Sequence, residues 1–383
     1  MVTINSAENA LKSVYLGAVT ELLNTKVNPL MTKIEQTSAD VWGKEIRKAV
    51  SVGLNGGVGA GDETGALPKA HGNNYLQFVS TLKNLYGQIE ISDKAIRASA
   101  DDRGAFTDLL NAELDGLLQA SKFNLGRMLY GDGTGKIGEV EEVSGKIVTV
   151  TYTRNFMPGM VVDFYNGNTP VATGLRIVSV DDAACTIELD AEPTGAALGH
   201  GIYVQGSKDK EITGLGAIFD TSKPLYGIDR SASATLKPYK STLINGIEET
   251  KLQEAIDVLE TRAGSNIDFI AVSSEAKYAY MEYMAQYKRN IDYMNLDGGF
   301  RSLSFNGIPL VYDRFVPSGY MYLLDTSAFH LHQLCDWRFL ETENGNVLRQ
   351  NQGYPTYTAT LVKYCDLICD RPNGQGVITG ATG

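Results

Sequence analysis

The residues with the most chemical potential lie near the C-terminus, where His330, His332, Cys335, Cys365 and Cys369 fall within one stretch. Imidazoles and thiolates are the donors of a zinc site. Their spacing argues against one. Cys365 and Cys369 are separated by three residues in a strand-like run, so they share a face but stand ~13 Å apart, too far for one ion. His330 and His332 share a face by the same period of two, and packing or hydrogen bonding is the preferred reading for both. The remaining histidines are His71 and His200. No Gly-x-Ser-x-Gly or His-Glu-x-x-His pattern is present.

Two glycine-rich stretches raise the question of phosphate binding. Gly131-Asp-Gly-Thr-Gly-Lys136 resembles a P-loop but is one residue short, and Ile137 stands where Ser or Thr would hold magnesium. A helix precedes it and strands follow it, the reverse of what a phosphate loop needs. The run from Gly53 to Gly65 carries six glycines, among them Gly56, Gly57, Gly59 and Gly61. No helix follows here either, so it reads as a flexible tip. No catalytic residue, cofactor site or metal site is expected, and the chain is not read as an enzyme.

A long helix is predicted from Gly104 to Tyr130. Phe106, Leu110, Leu114, Leu117, Leu125 and Met128 recur in three- and four-residue steps. Ser99 to Asp102 resembles a capping box before it, and the glycines after Tyr130 stop it. Residues 1–40 read as an arm with a short amphipathic helix through Leu11, Val14, Leu16, Val19, Leu22 and Leu23. Residues 41–92 read as two strand regions joined by the glycine tip, a projecting hairpin that also carries Lys69 and His71.

Five short strands are expected at 146–153, 160–165, 175–180, 185–189 and 201–205, a small β-barrel or sandwich within 136–211. That stretch holds six Lys or Arg against eleven Asp or Glu. Residues 240–325 alternate helices and strands, with helices at 252–262 and 274–284. The tyrosines between Tyr278 and Tyr293 have too few basic neighbours for nucleic-acid stacking and are assigned to core and subunit contacts. The tail runs extended through 357–369.

The chain of 383 residues is long enough for two or three structural units. With 34 Lys or Arg against 45 Asp or Glu, its net charge of -11 excludes a broad nucleic-acid grip. Four cysteines, no secretory signal and no apolar run near the ~20 residues of a membrane helix point to folding in a reducing cytoplasm.

The order of parts resembles the major capsid proteins of tailed bacteriophages, which share the Hong Kong 97-type shell fold. The resemblance is carried by the arm, the hairpin, Ile89-Glu-Ile-Ser-Asp-Lys-Ala-Ile96, the long helix and Leu129-Tyr-Gly-Asp-Gly-Thr-Gly135. Ile212-Thr-Gly-Leu-Gly-Ala-Ile218, Asn306 to Pro317 and Tyr357 to Pro372 continue it. The resemblance implies an α+β chain with seven parts. These are an N-terminal arm (1–40), an extended hairpin loop (41–92) and a peripheral domain with a long spine helix (93–135). An inserted β domain (136–211), a connection (212–239), an axial domain (240–325) and returning peripheral strands (326–383) complete it. Gly135 and Ile212 should adjoin, as two halves of one interrupted phrase.

The implied function is self-assembly through pentamers and hexamers into an icosahedral phage head enclosing double-stranded DNA without sequence-specific contact. The hairpin tip, with Gly56, Gly57, Gly59, Gly61, Lys69 and His71, would touch a neighbouring subunit. Some relatives form a Lys–Asn isopeptide between hairpin and peripheral domain, but no pattern assigns Lys69 an acceptor or a catalytic carboxylate, and a solvated lysine is preferred. The resemblance further implies a scaffolding protein and a portal as partners, no membrane, assembly in the host bacterial cytoplasm and residence in the virion. Either a separate scaffolding protein assists or a leading segment has been processed. An encapsulin-type nanocompartment shell packaging enzyme cargo is the alternative, and a soluble β-rich binding protein a more remote one.

Overall fold

In a computed structural model, the structure describes residues 28–53, 55–94, 103–231, 233–244, 246–287, 293–295, 301–341 and 345–381. The expected arm helix and the capping box at 99–102 lie outside them.

The first strands are β1 (Glu35–Thr37), β2 (Val41–Trp42), β3 (Glu45–Ser51), β4 (Tyr75–Thr81) and β5 (Lys83–Ser92). β3 and β4 pair antiparallel from Glu45↔Thr81 to Ser51↔Tyr75, with β2 on the outer side of β3. Helix α1 (Arg103–Tyr130) follows, 28 residues or ~42 Å at 1.5 Å per residue. Its inner stripe buries Leu114, Leu118, Leu125, Met128 and Leu129. The helix ends where the Gly131 amide bonds back to the Met128 carbonyl, and Gly133 and Gly135 then adopt φ of +81° and +78°, which side chains rarely tolerate.

Next comes a closed barrel of six antiparallel-paired strands: β6 (Lys136–Ser144), β7 (Ile147–Val150), β8 (Val161–Asn166), β9 (Thr169–Asp181), β10 (Thr186–Leu189) and β11 (Gly201–Val204). Its closed order is β10-β7-β6-β11-β8-β9. The sequence reading expects five strands and omits β6. The pairing of β6 with β7 shifts register between Val140 and Glu142, and such a bulge breaks the alternation by which a strand is recognised. The interior is filled by Ile137, Val140, Val148, Val162, Phe164, Ile177, Ile187, Leu189 and Ile202, all buried.

The chain returns beside the point where it left. The Asp209 amide donates to the Thr134 carbonyl at 2.7 Å, and a Cβ at Gly133 would stand 3.5 Å from the Ile212 carbonyl. Helix α2 (Leu215–Phe219) then seats against the end of α1, so closely that a Cβ on Gly214 would lie within 2.2 Å of the Met128 carbonyl oxygen.

The remaining elements are β12 (Tyr239–Thr242), α3 (Glu249–Ala263), β13 (Phe269–Val272), α4 (Ser274–Tyr287), β14 (Tyr293–Asn295), β15 (Arg301–Phe305), β16 (Ile308–Tyr312) and β17 (Met321–Leu324). They are followed by β18 (Phe329–Phe339), β19 (Arg349–Gln350), β20 (Thr356–Cys369) and β21 (Gly376–Thr379). A seven-stranded mixed sheet runs β12-β21-β17-β13-β16-β15-β14, packed with α3 and α4 around its own apolar cluster of Leu252, Leu259, Ile270, Tyr280 and Leu323. Within α4 the core role falls to Tyr280, whereas Tyr278 is 64% exposed. The other large sheet is built on β20, which pairs with β18 on one side and with β5 and β19 elsewhere along its length. β1 adds parallel to β18.

Candidate functional site: a projecting hairpin on a polar hinge

Above the Ser51–Tyr75 pair, the chain between β3 and β4 leaves the body without a strand partner among the described residues. Gly56, Gly57, Gly59, Gly61, Lys69 and His71 all lie on this segment, and all but the half-buried Gly57 are exposed. The two limbs approach each other closely. A Cβ on Gly57 would meet the His71 amide at 3.3 Å, and one on Gly59 would meet Pro68 at 3.4 Å. Glycine is therefore what permits the limbs to run side by side at the tip. The segment also presents large apolar groups to water: Val58 is 90% exposed, Leu67 89%, Tyr75 62% and Trp42 at the base 70%. Large apolar groups are exposed elsewhere too, Ile244 and Leu198 among them, but here they stand on an element that projects from the body, where a second surface can cover them.

The hairpin base is fastened to the β20-centred sheet by polar groups. Lys48 of β3 reaches Asp370 at 2.8 Å, and His330 of β18 lies between Asp370 and Glu35, 3.4 Å from each. Asp366 of β20 is fully buried and accepts from the Ser80 hydroxyl of β4, from the Thr213 amide at 2.7 Å and from the Thr213 hydroxyl at 3.0 Å. Burial pushes the Asp366 carboxyl above its usual range, while the bonds from Ser80 and Thr213 pull the other way. Tyr226, at φ +49°, takes the Val79 amide on its carbonyl and stacks its ring 5.2 Å from Phe78. Its hydroxyl donates to the Leu367 carbonyl and accepts from the Cys369 amide, so a single residue bridges hairpin and β20. Asp366 was missed from the sequence; its signal is an acidic residue among Tyr364, Cys365, Leu367, Ile368 and Cys369 in the second half of β20.

The histidines and cysteines singled out by type are parts of this hinge. His332 is 1% exposed and its Nδ1 lies 2.8 Å from the Ala39 carbonyl, which requires the Nδ1–H tautomer. Burial lowers its pKa, favouring the neutral ring. Cys365 and Cys369 are buried in β20, and burial pushes the Cys365 thiol up to about 12 and the Cys369 thiol higher, which suppresses thiolate chemistry. His200 lies on the barrel, where its Nδ1 accepts the Ala197 amide. Among the described residues no group of three or more His, Cys, Asp or Glu is arranged to hold a metal ion. No described helix is long and apolar enough to cross a membrane. The turn after α1 uses its side chains locally: Asp132 accepts from the Thr134 amide and hydroxyl, and Lys136 pairs with Glu139 at 2.6 Å.

The structure thus combines a long helix, a hairpin projecting from a β20-centred sheet, a closed barrel and a separate mixed sheet. No family model and no curated protein matches the sequence. Among solved structures, the capsid asymmetric unit of cyanophage A-1(L) matches with a TM-score of 0.55 at 13% identity, covering 97% of this chain and 94% of that one. The capsid of an empty GTA particle matches with a TM-score of 0.51 at 12% identity, covering 93% and 91%. The chain has the fold of these capsid proteins, the Hong Kong 97-type fold that its sequence resembles.

Proposed function

We propose that this chain is a major capsid protein that self-associates through pentamers and hexamers into an icosahedral phage head around double-stranded DNA. The observation that carries the reading is the likeness to the cyanophage capsid over nearly the whole chain. The exposed Val58 and Leu67 at the hairpin tip support it, since one subunit supplies no cover for them. In this reading the tip with Gly56, Gly57, Gly59, Gly61, Lys69 and His71 lies on a neighbour. Residues 93–135 and the β20 sheet form the peripheral domain, residues 240–325 the axial domain, and the barrel an insertion. Assembly proceeds by mass action over many modest interfaces, in the host cytoplasm, with a scaffolding protein and a portal. The net charge of -11 suits a wall that must release its DNA, because a basic wall would hold the polyanion.

The test is electron microscopy and sedimentation of the purified chain, expressed alone and with its scaffold. Capsomers, tubes or closed shells are expected. A compact monomer that persists at high concentration would refute the assignment.

A further inference from the structure

Between barrel and body lies a cleft of about 320 Å3. Tyr152, Arg154 and Asn155 of the barrel line it, facing Arg127 and Tyr130 at the end of α1 and Phe315 of the β16–β17 turn. Three cationic residues border this space, and two of them are matched. Arg127 grips Glu211 through both terminal nitrogens, and both residues are 3% exposed. Lys136 pairs with Glu139, while the acid on the rim, Asp132, has its own cation in Lys223 at 3.6 Å. Arg154 is different. Among the described residues no carboxylate lies within ion-pair distance of it, and its guanidinium stacks on the Tyr152 ring at 3.7 Å. Its Nε is buried without a hydrogen-bond partner, and so is the Nε of Arg127.

A guanidinium cannot shed its charge near neutral pH, so a largely enclosed one without an anion is an unfavourable arrangement unless something supplies the anion. Burial already pulls the Arg154 pKa below its ordinary value. Glu275 acts on Arg154 only from beyond ion-pair distance, so with the neighbouring pairs cancelling, Arg154 has no anion in contact, and two Nε–H donors are unused in a chain that is acidic overall. We propose that this cleft binds a small oxyanion, a phosphate or carboxylate group, held by Arg154 with the Nε of Arg127 beside it. Such an anion ties the barrel to the end of α1 and stiffens the junction between them.

The probe is inorganic phosphate, titrated into the full-length chain at fixed ionic strength set with sodium chloride, with thermal melting as the readout. A saturable rise in melting temperature is expected for the native chain. Arg154→Gln should weaken the apparent affinity by about tenfold or more, the loss of one charge-assisted interaction. Arg154→Lys should keep part of the response, since lysine offers a charge without the fork; it carries the comparison if the glutamine variant does not fold. A parallel titration with acetate separates phosphate from carboxylate preference, and saturation by either supports the site. An absent response beyond that to chloride, or equal responses in native and Arg154→Gln chains, overturns it. So does melting that depends on protein concentration and not on phosphate, lost in Arg154→Gln, which would assign the partner to a carboxylate of a second copy.

Discussion

Asp313 shows what a single buried carboxyl does to the pH response of this protein. It is 5% exposed, and burial raises its pKa to about 6, against the opposing pull of the Phe315 amide, the nearby Tyr130 hydroxyl and Arg314. Its pKa exceeds the unfolded value of 3.8, so the folded state binds more protons between those two values. Stability from this group is therefore present at low pH and lost as pH rises through about 6. Between pH 7.5 and 4 the gain should be about 1–3 kcal/mol, and Asp313→Asn should remove it. Denaturant midpoints of both chains at the two pH values check this; an unchanged difference between them refutes it. Asp366 shifts in the same direction and His332 acts oppositely below neutrality, so only the difference between chains isolates Asp313. A second residue-scale expectation concerns the Arg127–Glu211 pair, 84 positions apart and buried. Arg127→Ala should cost about 3–5 kcal/mol by stranding a carboxylate, whereas Arg127→Met with Glu211→Leu should recover most of it. Thermal melts of the two variants decide between them. Neither Asp313 nor this pair was legible in the sequence, because each depends on partners brought in by the fold. The histidines and cysteines were legible by type and spacing, but their places at the hairpin base were not, since Ala39, Asp370 and Glu35 reach them only through the fold.

At the scale of elements, periodicity was the readable signal. The stripe from Phe106 to Met128 predicts a helix from Gly104, and the helix spans Arg103–Tyr130. The barrel strand β6 escaped because Glu139, Glu141 and Glu142 surround a register shift, which hides the alternation. The Ile212–Ile218 phrase was readable as a glycine pattern, though its reason was not: Gly214 touches the end of α1. Gly214→Ala would place a methyl 2.2 Å from the Met128 carbonyl and 2.6 Å from that of Gly131. No side chain there can swing aside, since both obstacles are backbone. The substitution should cost more than the ~1–3 kcal/mol typical of overpacking and sharply lower the yield of folded protein. A chain that melts within a few degrees of the native one would contradict the packing. The hairpin is the opposite case. Deleting residues 56–65 removes no core residue, so the subunit should keep its melting temperature while shell closure fails under electron microscopy. If the deletion instead unfolds the subunit, the segment is not a free tip.

For the whole molecule, the open question is how far the barrel is energetically its own unit. Its strands close on themselves and fill their interior with their own apolar side chains. Its two ends adjoin, since the Asp209 amide meets the Thr134 carbonyl. Both features are those of a module that can be removed from its host. Against this, one apolar cluster runs from the barrel into the body, and Glu211, at the barrel's exit, neutralises Arg127 of α1. Excision must therefore respect two local facts. Joining Gly135 to Ile212 keeps Thr213, which donates to Asp366 at the hairpin hinge. Arg127→Met must accompany the excision, because otherwise a buried guanidinium loses its carboxylate. Made this way, the shortened chain should melt cooperatively while forming shells that are weaker or of altered size, as measured by calorimetry and electron microscopy. Residues 136–211, expressed alone, should give a β-type circular dichroism spectrum with a melting transition. An unfolded remainder together with a disordered barrel fragment would mean that the shared apolar cluster outweighs the closed strand order, and that barrel and body fold as one.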